Sequence, residues 1–192
     1  MSRQRWLEEE RGVLAAEHLL DAAAECFARE GVASTQMSDV ARAAGCSRAT
    51  LYRYFESRRA LQSAFVDREA RRIAAAVGRD VAGIDDPAAR VVEAVLAAVS
   101  AVRDDATLHS WFTEGGVGFA TAAARASEVI EAIGADFLGD ATDAGARARS
   151  AWLVRVIVSL LAMPGQDAAA ERELVERFVA PVVVEGHAAV AR

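Results

Sequence analysis

At 192 residues and a formal net charge of −6, with 53% of its residues apolar, the chain can bury a substantial core and lacks the composition of a disordered segment. No apolar run reaches the ~20 residues of a membrane span, because the longest, Ala151 to Met163, is short and carries Arg155; the opening "MSRQRWLEEERG" has no signal-peptide core. Two cysteines, Cys26 and Cys46, exclude a disulfide framework and fit a reducing cytoplasm.

Apolar residues recur at helical spacing from Leu14 onward and no run of alternating β-branched residues appears, so the chain is predicted to be all-α with about nine helices. The first helix is expected from about Val13 to Glu30, with Leu19, Leu20, Ala23, Cys26 and Phe27 inward and Gly31 ending it. The second covers about Met37 to Ala44, opened by Thr35 or Gln36 and closed by Gly45. Ser47 caps a short third helix, "RATLYRYF", and Ser57 caps a fourth that continues to about Arg79. After "GIDDP", Asp86 and Pro87 start a fifth helix reaching about Arg103. A short helix around Asp105 to Phe112 precedes "EGGVG", where no strand, lysine or serine completes a phosphate loop. Three longer helices follow, from about Phe119 to Leu138, Ala144 to Met163 and Ala168 to Ala189, the last kinked by Pro181. Residues 1–60 are expected to form a small N-terminal unit and residues 61–192 a larger bundle.

Charge is unevenly spread. From Arg42 to Arg72, eight arginines stand against three acids, a local +5 in a chain whose remainder carries −11. Such an island attracts a polyanion, because screening at cellular salt limits the reach of distant charges to about 8 Å. On charge alone a solvated helix face fits equally. Two short helices joined by "AGCS" add geometry, that of a helix-turn-helix placing its second helix in the DNA major groove. Leu51 and Phe55, four apart, point inward and leave Arg48, Ala49, Tyr52, Arg53 and Tyr54 on the open side. Arginine bonds guanine, small residues and aromatic edges approach the thymine methyl, and hydroxyls reach phosphates.

The segment "DAAAECFAREGVASTQMSDVARAAGCSRATLYRYFESRRAL", Asp21 to Leu61, resembles the N-terminal domain of the tetracycline-repressor (TetR) family of transcriptional regulators. The resemblance rests on "F-A-x-x-G", "D-V-A-x-x-A-G", "S-x-x-T-L-Y-x-Y-F" and "S-R-x-A-L" in successive helices. It implies a homodimer that binds a palindromic double-stranded operator and is most often a repressor released by a small-molecule effector. Carried onto this chain, it places Thr50 and Tyr52 at phosphates or groove edges, Arg48, Ala49, Arg53 and Tyr54 nearest the bases, and Arg58 on a phosphate. Thr35 and Gln36 join the DNA-binding set at the start of the second helix. Tyr54 stands where the family often has histidine, Arg58 where it usually has lysine, Gln36 where a Thr or Ser caps, and Cys46 where valine is usual. Arg3 and Arg5 form either a minor-groove arm or an extension of the first helix.

In this family the second bundle binds effector and dimerises. Candidate ligand contacts are Trp111, Phe112, Phe119, Phe137 and Trp152 as walls, with His109, Thr113, Arg155 and Ser159 as polar anchors. Arg155, inside an apolar helix, needs an anion, a carboxylate partner or an escape to solvent. The last two helices are apolar enough to bury a face in a second copy, and Trp152, Val156, Leu160, Leu174, Phe178 and Val182 divide between that interface and the bundle core. The histidines lie far apart and no nucleophile motif appears, so no enzyme activity, metal or cofactor is expected. The alternative reading is a helical small-molecule-binding or enzymatic protein without DNA binding.

Overall fold

The computed structural model describes residues 3–112, 117–139 and 144–184. Among these residues the chain is all-α with no strand, as the periodicity predicts, and has ten helices where about nine were expected. It divides into two units, Met1–Phe65 and Val66–Arg192.

In the first unit, α1 spans Arg3–Glu30, ten residues longer at its start than apolar periodicity alone predicts. The added turns are rich in Arg, Gln and Glu, which lose little side-chain freedom in a helix. Gly31, with φ +77°, ends α1, and α2 (Met37–Ala43), α3 (Arg48–Tyr54) and the start of α4 (Arg58–Asp80) follow. Leu19, Ala23, Cys26 and Phe27 of α1 are buried with Val40 and Ala41 of α2, Leu51 of α3 and Leu61 and Phe65 of α4. Phe27 and Phe65 meet edge to face at 5.3 Å between ring centres. Burial pushes the Cys26 thiol above its ordinary pKa, so it is an inert core residue.

In the second unit, α5 (Pro87–Asp104) is capped by Asp86, whose carboxylate accepts from the Ala89 N–H at 3.0 Å, with Pro87 at its first position. Asp105 then caps α6 (Ala106–Ser110). The single helix expected from Phe119 to Leu138 is instead two, α7 (Val117–Ala126) and α8 (Glu128–Phe137). The break is Ser127, whose hydroxyl accepts from the Ile130 N–H at 3.0 Å and donates to Asp67 of α4 at 2.6 Å. α9 runs Ala144–Ala162 and α10 Ala168–Phe178, capped by Asp167.

The helix expected to run to Ala189 with a kink at Pro181 is divided just before the proline: α10 ends at Phe178, and residues 180–184 are helical again with Pro181 in their first turn, where its missing N–H costs no bond. Val179 between them stays right-handed at φ −111° and ψ −56°, its N–H donating to the Val175 carbonyl at 3.1 Å and its carbonyl accepting from the Val183 N–H at 3.1 Å, and residues 185–189 lie outside the described residues. Val91, Val95 and Val99 of α5, Leu153, Val156 and Leu160 of α9, and Val175 of α10 form one core with Val179 and Val183. Gly134 of α8 permits close contact with α9: a Cβ there would lie 2.1 Å from Ser150 Oγ.

Candidate functional site

The short α3 is held in place by its neighbours. At the end of α2 the Gly45 N–H donates to the Arg42 carbonyl at 3.1 Å and the Cys46 N–H to the Ala41 carbonyl at 2.9 Å. This crossed pair requires a left-handed residue, and Gly45 supplies it at φ +63°. Ser47 then caps α3, accepting from the Thr50 N–H at 3.0 Å. Leu51, fully buried, and Phe55 fix the helix's rotation, so Arg48, Ala49, Tyr52 and Arg53 are exposed.

Two expected contacts are less free than their residue types imply. Thr50 is half-buried with its hydroxyl 2.9 Å from Ser47 Oγ, and Tyr54 is half-buried with the Arg53 guanidinium 5.3 Å above its ring. Gln36 begins α2 as an exposed N-cap, its backbone N–H donating to the Asp39 carboxylate at 3.0 Å while its side-chain amide donates to the Ser34 carbonyl. Asp39 also pairs with Arg42.

Thr35 is corrected from a DNA-contacting residue to a structural one. It is 1% exposed and its hydroxyl donates to the Gly31 carbonyl at 2.9 Å, so no side-chain atom is offered to a partner. Arg58 is partly committed as well: Nη1 donates to the carbonyls of Ala33 at 3.2 Å and Thr35 at 3.4 Å. It positions the α1–α2 loop and keeps its other donors for an anion.

These residues border a cleft of about 390 Å³ lined by Gln36, Met37, Ser38, Arg48, Tyr52, Glu56, Ser57 and Arg58. The guanidiniums of Arg48 and Arg58 favour an anion there, against the single carboxylate of Glu56. The backbone is helical from Arg3, so the N-terminal arm extends α1; the side chains of Arg3, Arg5 and Trp6 lie outside the described residues.

The second unit contains a cavity of about 520 Å³ walled by α4 to α9. Trp111, Phe112 and Phe137, expected as ligand contacts, are among its lining residues. His109, Trp152, Arg155 and Ser159 are not. His109 is exposed on α6, and Trp152, Arg155 and Ser159 are exposed on α9. The reason is rotational: Ser150, Leu153, Val154, Ile157 and Leu161 face the cavity, and at 100° per residue Trp152, Arg155 and Ser159 fall on the opposite side of the helix. Arg155 escapes to solvent. The side chain of Phe119 and all of Thr113 lie outside the described residues.

A family model described as "Bacterial regulatory proteins, tetR family" matches residues 19–65, the stretch from α1 to the start of α4. An uncharacterised HTH-type transcriptional regulator of Mycobacterium tuberculosis is 42% identical over 194 residues, covering 98% of this chain and 95% of the relative. The chain belongs to the TetR family. It is therefore a transcriptional regulator with an N-terminal helix-turn-helix. The fold agrees with solved structures: RolR in complex with resorcinol superposes with a TM-score of 0.70 at 15% identity over 96% of each chain. The repressor AlkX from Dietzia sp. strain DQ12-45-1b does so at 0.62 and 20% identity, covering 90% of this chain and 95% of AlkX.

Sequence reasoning about this TetR-family chain missed most of the cavity wall, which is alanine, valine and isoleucine. A signal was present. Ala70 and Ala74, Ala94 and Ala98, and Ala120 and Ala124 are pairs four apart on three helices, small residues where a filled core would carry large ones.

Proposed function

We propose that the protein acts in the cytoplasm as a homodimeric repressor that binds a palindromic operator and is released from it by a small molecule held in the second unit. Met1–Phe65 serves as the DNA-reading part and Val66–Arg192 as the effector-binding and dimerisation part. Arg48, Ala49, Tyr52 and Arg53 enter the major groove, with Gln36, Thr50, Tyr54 and Arg58 at its edges and phosphates. The observation that supports effector control is the 520 Å³ cavity, whose wall includes Glu69, Ala70, Ile73 and Val77 of α4, the helix that begins with Arg58 at the cleft. Release requires a ligand that binds the DNA-free conformation more tightly than the DNA-bound one.

Dimerisation is supported by apolar exposure on the last helical segments. Trp152, Leu174, Phe178 and Val182 are 41% to 64% exposed, whereas Val156 and Leu160 lie in the bundle core. Fluorescence anisotropy on DNA flanking the protein's own gene tests the proposal. Salt-sensitive, sequence-specific binding with a two-fold footprint is expected, and its absence in a folded dimer defeats the reading.

A further inference from the structure

We propose that the cavity of the second unit takes an uncharged, largely hydrocarbon molecule and rejects carboxylates and phosphates. The inference rests on reading that cavity as the effector site, and it names the chemical class admitted there.

The space exists because of what its walls lack. At the three alanine pairs each helix presents a methyl group where a leucine would reach the opposite wall, while Trp111, Phe137, Leu153 and Ile157 supply broad apolar surface. The volume, about 520 Å³, falls within the ~300–1,000 Å³ range of small-molecule pockets.

Charge decides the class. Among the described residues no arginine, lysine or histidine lines the cavity; its ionisable lining residues are Glu69 and Asp136, both acidic. An anion entering would lose its water and find no cationic side chain among the described lining residues to replace it.

A cation gains little either. Glu69 is 8% exposed and both its oxygens are occupied, one by Arg68 Nε at 3.1 Å and the other by Arg72 Nε at 2.6 Å. Asp136 is exposed to water, which screens it. Ser150 is fully buried and already donates its hydroxyl to the Glu131 carbonyl at 3.0 Å. The wall therefore offers contact area with few groups to recognise a polar head.

Titration of the full chain with N-phenyl-1-naphthylamine, an uncharged dye that brightens in apolar surroundings, provides the assay. Competitors share one tail: 1-decanol, decanoate and decyltrimethylammonium, at about pH 8 so that the carboxylate is ionised. One dye per chain is expected, displaced by decanol at a concentration at least about ten-fold below that of either ion, the margin set by desolvating an unpaired charge.

Equal or tighter displacement by decanoate or by the ammonium compound overturns the class while leaving the cavity as the effector site. Failure of the dye to bind removes the cavity reading and the class together. Ala98→Leu and, separately, Ala124→Leu fill the space; each is expected to weaken dye binding about ten-fold or more with helix content retained. Undiminished binding in both variants places the dye elsewhere and also overturns the proposal.

Discussion

Arg103 of α5 grips Glu171 of α10 with both prongs of its guanidinium, Nη1 to Oε2 at 2.8 Å and Nη2 to Oε1 at 2.7 Å. Glu171 also accepts from the Gly165 N–H at 2.8 Å, and Arg103 donates to the Leu160 carbonyl at 2.9 Å, so the pair ties α5, the end of α9 and the start of α10 together. Hydrogen bonds from Arg103 hold the Glu171 carboxyl below the usual carboxylate range. Its contribution is fully present above the unfolded carboxylate value of about 4.3 and is lost as pH falls through the lower folded value. Glu171→Gln is expected to cost about 2 kcal/mol near neutral pH. Urea unfolding across pH checks this: the gap between wild type and variant should be constant near neutrality and close in acid.

Gly45 carries the turn of the helix-turn-helix at φ +63°, with nothing within 4 Å of where a Cβ would sit. The cost of a side chain there is backbone strain and not a clash. Gly45→Ala should therefore lose about 1–2 kcal/mol, and Gly45→Asn less, because asparagine tolerates the left-handed region. Thermal melts of the two variants separate this account from a steric one, in which the larger residue would be worse.

Arg48 and Tyr52 are exposed on α3, whereas Thr35 is buried and hydrogen-bonded, and this contrast predicts opposite phenotypes. Arg48→Ala and Tyr52→Ala should each weaken operator binding by about 1–3 kcal/mol with little change in melting temperature. Thr35→Val should instead lose about 1 kcal/mol of stability and leave the salt dependence of DNA binding unchanged. Arg58→Ala should affect both, since Arg58 holds the carbonyls of Ala33 and Thr35 and also lines the cleft. Paired anisotropy and melting measurements assign each residue.

The exposed side of α3 was legible in the sequence because its signals are local. Gly45, Ser47, Leu51 and Phe55 fix a turn, a cap and a rotation within eleven residues, and the outward positions follow. Thr35 was misread because a hydroxyl beside a helix start suits a cap or a DNA contact equally, and only the return of the chain to the Gly31 carbonyl distinguishes a third use. The cavity was poorly legible for a related reason. Large aromatic and polar residues attract attention as ligand contacts, yet a cavity is made by the residues that fail to fill it. Choosing Trp152, Arg155 and Ser159 required the rotation of α9, and that helix carries apolar residues on most of its circumference, which leaves its phase unset without its neighbours. The split of α7 from α8 likewise depends on Asp67, sixty residues earlier in the chain.

Leu174, Phe178 and Val182 recur every four residues along the last helical segments and stay exposed, as does Trp152 on α9. Four large apolar residues left in water are costly singly and become stabilising once covered by a matching surface, as two-fold pairing of identical chains provides. Leu174→Glu with Phe178→Asp should therefore give a monomer by light scattering with unchanged helix content. If paired recognition helices are needed for the operator, the same variant should lose at least about a hundred-fold in affinity, because each half-site is then bound without the effective concentration supplied by its partner. Val13 and Leu14 of α1 are exposed to a similar degree, and Val13→Asp serves as the control, expected to remain dimeric. A double variant that stays dimeric while the Val13 variant dissociates would move the interface to α1.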